Sequence, residues 1–156
     1  LLDGARTYVA VRGGCILRGD TVDVGADPGM PAAAQPAPPT PRERMVTLWP
    51  GPRRDWFTDD AWTGLMAGEY TVTATSRVGA RLHGPALRRC RDGELPSEGM
   101  VEGAVQVPPD GDPIVMLADH PTTGGYPVIA VVDPADLAIV AQAAPGTSLR
   151  FRPARR

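Results

Sequence analysis

From residue 45 onward, short apolar runs alternate with breaks rich in Gly and Pro. Met45-Val46-Thr47-Leu48-Trp49 alternates as a strand and is closed by Pro50-Gly51-Pro52. Thr58-Asp59-Asp60-Ala61-Trp62 predicts a short helix, with Thr58 as N-cap, two carboxylates at its positive end and Gly68 ending it. Tyr70 to Ala74 and Arg77 to Leu82 read as strands, the second broken by Gly79. Val105-Gln106-Val107 and Pro113 to Ala118 are two more, and Tyr126 to Val132 carries the strongest strand pattern of the chain. Asp133-Pro134 predicts the start of a second helix, with Asp133 as N-cap and a stripe of Leu137, Val140 and Ala141. Ser148 to Arg152 predicts a last strand after Gly146. Before this block, Arg6 to Val11 reads as a strand ending at Gly13-Gly14. Cys15 to Val24 reads as another, interrupted by a turn at Arg18-Gly19-Asp20. Ala26 to Pro41 holds six prolines and no large aliphatic residue except Met30, which predicts an extended linker of polyproline character. Many short strands and only two short helices predict an all-β barrel or sandwich. The chain opens on Leu1-Leu2 without an initiator methionine, so a fragment, or a missing start, is expected.

Composition narrows the class. The 156 residues include 18 glycines and 18 prolines, which favours turns over long helices. A net charge of −2 disfavours a general nucleic-acid binder. No apolar run approaches the roughly 18 residues of a membrane span, and no secretion signal is visible. Cys15 and Cys90 are far apart in a chain without a secretion signal, so two reduced thiols in a cytoplasmic protein are expected. All 16 basic residues are Arg. Schiff-base and phosphate-loop chemistry that requires lysine is therefore excluded from this chain. His83 and His120 show no metal-ligand spacing with Cys, so no metal site is predicted.

Three polar patches are candidates for chemistry. Asp119-His120-Pro121-Thr122-Thr123-Gly124-Gly125-Tyr126 joins two apolar strands, and a loop held by core strands is a rigid platform. Its alternative reading is a glycine hairpin whose hydroxyls satisfy the turn. Glu94 to Gly103 carries three carboxylates, Glu94, Glu98 and Glu102, which would do acid–base work if two shared a site; the alternative is a solvated loop. Strand periodicity puts Arg77 and Arg81 on one face, where they would clamp a carboxylate or simply coat an exposed strand. Ser97 with His83 or His120 lacks the spacing of a hydrolase triad, and Gly-x-Ser-x-Gly is absent. Cys90 has three cationic neighbours, Arg88, Arg89 and Arg91, which would lower the pKa of a thiol, although a plain surface thiol fits equally.

The same residues resemble the allophanate hydrolase subunit 2 family, also called the KipA family, the biotin-dependent carboxyltransferase family or the family of the 5-oxoprolinase C subunit. The likeness is carried by Glu94-Leu95-Pro96-Ser97-Glu98-Gly99, by Gly103 to Pro109, by Gly111-Asp112-Pro113-Ile114-Val115 and by Leu117 to Pro127. It extends to Gly51-Pro52, Phe57-Thr58, Ser76 to Leu82, Pro145-Gly146 through Pro153, and the opening Gly4 to Gly14. Together it covers about residues 4–25 and 45–153. Family members extend well before the position of Leu1, and they carry a Ser-Arg-Ser-Thr-type loop where Gly14 here runs directly into Cys15.

The resemblance implies a cyclophilin-like β-barrel. It divides the chain into the end of a preceding barrel region (1–25), a linker (26–44) and a C-terminal barrel domain (45–156). It implies a KipI-like subunit 1 partner and a LamB/YcsF-like subunit, working together as an ATP-dependent 5-oxoprolinase that opens the lactam of 5-oxoproline to glutamate. ATP would act at the level of the complex. The second reading it implies is a carboxyltransferase component that moves a carboxyl group from biotin to urea. The third is a regulatory KipA-like binding protein. Both reactions act on a small planar amide. Within that reading, Asp119 or Glu98 orients the substrate nitrogen or acts as base. Arg77 and Arg81 hold an anion, Gly124 and Gly125 offer backbone N–H groups to an oxyanion, and Gln106, Thr122, Thr123 and Tyr126 line the substrate.

Overall fold

The structure is a computed structural model, and it describes residues 44–93 and 95–155. The strands expected within residues 6–24, the 26–44 linker, Cys15 and Glu94 lie outside the described residues, apart from Arg44 at the linker's end.

The described residues form β1 (Met45–Pro50), a 3-10 turn (Arg54–Trp56), α1 (Asp59–Ala67), β2 (Glu69–Thr75), β3 (Gly79–His83), β4 (Glu98–Gly99), β5 (Ala104–Gln106), β6 (Ile114–Met116), β7 (Thr123–Gly124), β8 (Val128–Val132), α2 (Leu137–Ala141) and β9 (Ser148–Pro153). Seven strands close a barrel in the order β1-β8-β5-β6-β3-β2-β9. β1 and β9 close it as its one parallel pair, with Val46 opposite Phe151; the other neighbours are antiparallel. The fold is therefore mostly β with two short helices, as expected.

Period-2 alternation selects the interior. Val46 and Leu48 of β1, Tyr70 and Val72 of β2, Ala80 and Leu82 of β3, and Leu149 and Phe151 of β9 are all buried, while their neighbours in sequence are more exposed. Tyr70 and Phe151 pack with ring centroids 5.6 Å apart, and the Tyr70 hydroxyl donates to Pro85 O at 2.9 Å. α1 adds Ala61 and Leu65, one turn apart on the same face, to this core. Thr58 does stand at the N-cap of α1, but its hydroxyl makes no cap bond; it donates to Arg88 O at 3.4 Å.

The second helix begins later than Asp133. Residues 133–136 form a turn, and α2 starts at Leu137 with Asp136 at its N-cap. Both aspartates bind β1 instead of capping the helix: Trp49 Nε1 donates to Asp133 Oδ2, and Thr47 N donates to Asp136 Oδ2, each at 2.8 Å. Arg77 likewise falls in a bend before β3, so the expected strand face shared by residues 77 and 81 does not form.

β8 carries a bulge. Val105 pairs with Ala130 and Gln106 with Val128, so Ile129 is the extra residue. Gly51 lies on this bulge. Its N–H donates to Ile129 O at 2.9 Å, and an added Cβ would sit 2.5 Å from Val128 O and 2.6 Å from Ala130 N. The chain can thus hug β8 beyond the end of β1, and Arg53 N reaches Val128 O at 3.1 Å. A small feature of sequence, one glycine after β1, fixes where the Arg53 side chain starts.

Candidate functional site

Two of the three polar patches are brought together by a two-stranded ribbon. β4 pairs with β7 antiparallel, with Glu98 opposite Gly124 and Gly99 opposite Thr123. The Met100 N–H continues the ribbon to Thr122 O at 2.9 Å. Beneath it lies Gln106, a polar side chain buried to 4% relative exposure. Its Nε2 donates to Tyr126 O at 3.0 Å. Gly124 is in such close contact that a Cβ there would meet Met100 Cε at 2.5 Å and Gln106 Nε2 at 2.7 Å. Gln106 therefore holds the Gly124-Gly125-Tyr126 backbone from below.

Arg53 binds Glu98 with a fork: Nε donates to Oε2 at 2.9 Å and Nη2 to Oε1. Both side chains are about one-third exposed, at 37% and 34%, so the pair is reachable from solvent and only partly screened. The bulge-anchored segment after β1 is thereby tied to the ribbon. Tyr126 is 43% exposed. The Arg89 guanidinium carbon lies 6.0 Å from its ring centroid, and Arg89 Nη2 donates to Val107 O at 3.1 Å. Neither Arg53 nor Arg89 stands out in the sequence as a site residue. Arg53 directly follows the Gly51-Pro52 motif, and that adjacency is the one signal that points to it.

The remaining candidates are placed elsewhere or engaged differently. Arg77 donates through Nε to Asp119 Oδ2 at 2.6 Å and through Nη2 to Oδ1 at 3.0 Å. The Arg77 guanidinium holds the Asp119 carboxyl below the usual carboxylate range. Asp119 is thus an ion-pair partner at the start of the loop that leads into β7. Arg81 instead meets Asp110 at 3.4 Å, so the two arginines serve two different carboxylates and form no shared clamp. Thr122 and Thr123 are exposed on the ribbon, and Gly125 borders Leu95 O. Glu98 faces a guanidinium rather than a second carboxylate, and Glu102 is exposed in a turn. No triad forms around Ser97: His83 Nδ1 is 3.0 Å from Asp112 Oδ2, and His120 Nδ1 is 2.9 Å from Pro121 O. Cys90 is exposed and outside any disulfide. Among the described residues no cluster of His, Cys, Asp and Glu could hold a metal ion, and no helix is long and apolar enough to cross a membrane.

Four surface carboxylates share one pH behaviour, among them Asp60, lowered first by the Thr58 side chain. Asp119 is lowered by its Arg77 hydrogen bonds. Glu69 is lowered first by Arg150, and Asp133 by the Ala135 N–H and then Trp49. A carboxylate lowered in the folded state adds stability above its ordinary pKa, here 3.8 for Asp and 4.5 for Glu, and loses it as pH falls through the folded value. The melting temperature should accordingly be insensitive to these groups near neutrality and should fall on acidification below about pH 4.5. Thermal unfolding followed by circular dichroism from neutral to acid checks this. Replacing Asp119, Glu69 and Asp133 by their amides should flatten the acid limb.

A closed, largely antiparallel barrel with a polar ribbon laid across a buried glutamine defines a β-barrel domain. The chain belongs to the family described as "Carboxyltransferase domain, subdomain A and B", whose profile matches residues 15–153. It is 38% identical over 107 residues to the C subunit of 5-oxoprolinase from Escherichia coli K12, covering 68% of this chain and 34% of that protein. It is 33% identical over 142 residues to the corresponding 5-oxoprolinase protein of Haemophilus influenzae, covering 90% of this chain and 46% of that one. The chain thus spans between a third and a half of the length of these curated relatives. Among solved structures, it resembles TTHA0988 with a TM-score of 0.67 at 40% identity, over 83% of this chain and 26% of that one. It also resembles the urea amidolyase of K. lactis with a TM-score of 0.68 at 26% identity, over 74% of this chain and 8% of that one.

Proposed function

We propose that this chain forms part of the C subunit of an ATP-dependent 5-oxoprolinase, a cytoplasmic complex with a KipI-like and a LamB/YcsF-like subunit that opens 5-oxoproline to glutamate. The observation that carries the reading is the Arg53–Glu98 fork on a ribbon underlain by Gln106, in a chain that shares 38% and 33% identity with two proteins bearing that name. The substrate presents a carboxylate and a planar lactam with one N–H and one carbonyl. A partly exposed guanidinium suits the carboxylate, and Glu98 suits the lactam N–H. Glycine at 124 and 125 lets a planar ligand approach the backbone, whose N–H groups suit a developing oxyanion. Thr122 and Thr123 stand on the same ribbon, and Tyr126 follows it with its carbonyl held by Gln106. ATP supplies the phosphoryl group that activates the lactam oxygen. The part of this chain is to hold the lactam, keep its orientation fixed through Gln106, and place the Glu98 carboxylate against the reacting amide. Asp119 serves that site from a distance, by fixing the loop into β7 through Arg77.

The likeness to the K. lactis urea amidolyase favours a second reading, a carboxyltransferase in which carboxybiotin replaces ATP and urea replaces the lactam. The same fork and ribbon suit urea, which is also a planar amide. One assay separates the two. The full-length protein is mixed with its KipI-like and LamB/YcsF-like partners, and phosphate release from ATP is followed with and without 5-oxoproline. Phosphate release that requires all three proteins and 5-oxoproline is the expected result. No release, with decarboxylation of carboxybiotin on adding urea, would replace it with the second reading.

A further inference from the structure

The segments 86–93 and 109–111 enclose a concavity that the lactam reading does not use. It is a cavity of about 570 Å³, within the usual range for small-molecule sites. Its lining includes Arg88, Arg89, Arg91, Asp92, Pro109 and Asp110. The charges on its wall are not equivalent. Arg91 is already engaged, with Nη2 3.1 Å from Asp55 Oδ2 and its guanidinium over the Trp56 ring. Asp110 is engaged by Arg81 at 3.4 Å. Among the described residues, Arg88 makes no ion pair, and Asp92 is the one lining carboxylate outside an ion pair. Arg89 uses Nη2 on Val107 O, but its Nε–H is buried and has no hydrogen-bond partner. A buried guanidinium N–H left without an acceptor is costly.

We propose that this cavity binds the phosphate group of a small organic phosphate, with Arg88 and Arg89 as the phosphate-holding residues. Two guanidiniums on adjacent residues give a doubly charged oxyanion more donors than one carboxylate needs, and planar Arg donors match phosphate oxygens pairwise. Arg is also the one strong cation available, because the chain has no lysine. The cavity is larger than a phosphate alone fills, so the organic part of the ligand lies along the Pro109 wall. Arg89 joins the two sites, since it lines this cavity and also lies beside the Tyr126 ring. A phosphate drawn against Arg89 therefore acts next to the ribbon. The inference rests on this cavity and not on the 5-oxoprolinase reading.

The test measures binding on the full chain, with no turnover required. Inorganic phosphate and AMP are titrated by calorimetry and by ³¹P NMR, and sulfate by calorimetry and as competitor. The expected result is saturable binding, weakened about tenfold by Arg88→Gln and at least as much by Arg89→Lys, which keeps the charge but not the fork. Arg152→Gln, on β9 and outside the cavity, should leave it unchanged, and matched melting curves exclude misfolding as the cause. AMP binding tighter than inorganic phosphate supports an organic phosphate. Equal affinity for inorganic phosphate, AMP and sulfate would reduce the site to a general anion patch and overturn the proposal. So would binding that Arg88→Gln and Arg89→Lys both leave intact, or no binding at all.

Discussion

Gly51→Ala should destabilise the barrel by about 3 kcal/mol, at the upper end of overpacking costs, which is a large share of a typical stability of roughly 5–15 kcal/mol. The added methyl would lie 2.5 to 2.6 Å from three backbone atoms of β8, namely Val128 O, Ala130 N and Ile129 C. None of them is the end of a flexible side chain. β8 cannot withdraw, because it is hydrogen-bonded to β1 on one side and β5 on the other. Relief must come from breaking the Gly51 N–H bond to Ile129 O, which releases Arg53 from Val128 as well. At about 4–8 °C per kcal/mol for a small domain, the melting temperature should fall by roughly 10 °C or more. Differential scanning calorimetry reads this directly. A shift within about 2 °C would mean that the segment after β1 does not lie against the bulge.

Glu98→Gln should lower kcat of the assembled complex by about 10²-fold or more, the lower end of what one positioned acid–base group contributes. The amide keeps the size and one acceptor for Arg53, so the ribbon should stay in place. What it removes is the negative charge and its capacity to take a proton from, or bind, the lactam N–H. Because Glu98 is partly exposed and held by Arg53, the substitution should have only a small effect on stability. A loss confined to kcat with an unchanged melting curve is the signature of a residue that acts on the reaction.

The barrel was legible because its strands obey a period of two. Val46 and Leu48 point inward between more exposed neighbours, as do Tyr70 with Val72, and Leu149 with Phe151. All seven barrel strands fall on segments whose pattern predicts them, with ends shifted by a few residues at most. The parallel closure of β1 on β9 was not legible, since it pairs residues about a hundred positions apart and leaves no local mark. Asp133 misled as a helix cap because its carboxylate finds the Trp49 indole N–H, a tertiary partner that a local rule cannot anticipate. Of the site, Glu98, Gly124 and Tyr126 stood out within two polar patches, and Gln106 through the family resemblance. Their convergence depends on β4 and β7, two-residue strands too short to show any period. Arg53 escaped notice because its importance comes from the bulge at Ile129, which sequence does not display. Arg89 read only as a cationic neighbour of Cys90, whereas its side chain reaches Val107 O.

If the ribbon serves the reaction, Glu98 stands at the substrate and Asp119 acts only to hold its loop. Comparing Glu98→Gln with Asp119→Asn in the same three-subunit mixture separates these roles. The readouts are kcat for 5-oxoproline-dependent phosphate release and complex assembly by size exclusion. Both variants should assemble. Glu98→Gln should lose about 10²-fold or more in kcat, and Asp119→Asn should stay within about threefold of the unaltered protein. Full turnover by Glu98→Gln, or a collapse of kcat confined to Asp119→Asn, would contradict this assignment.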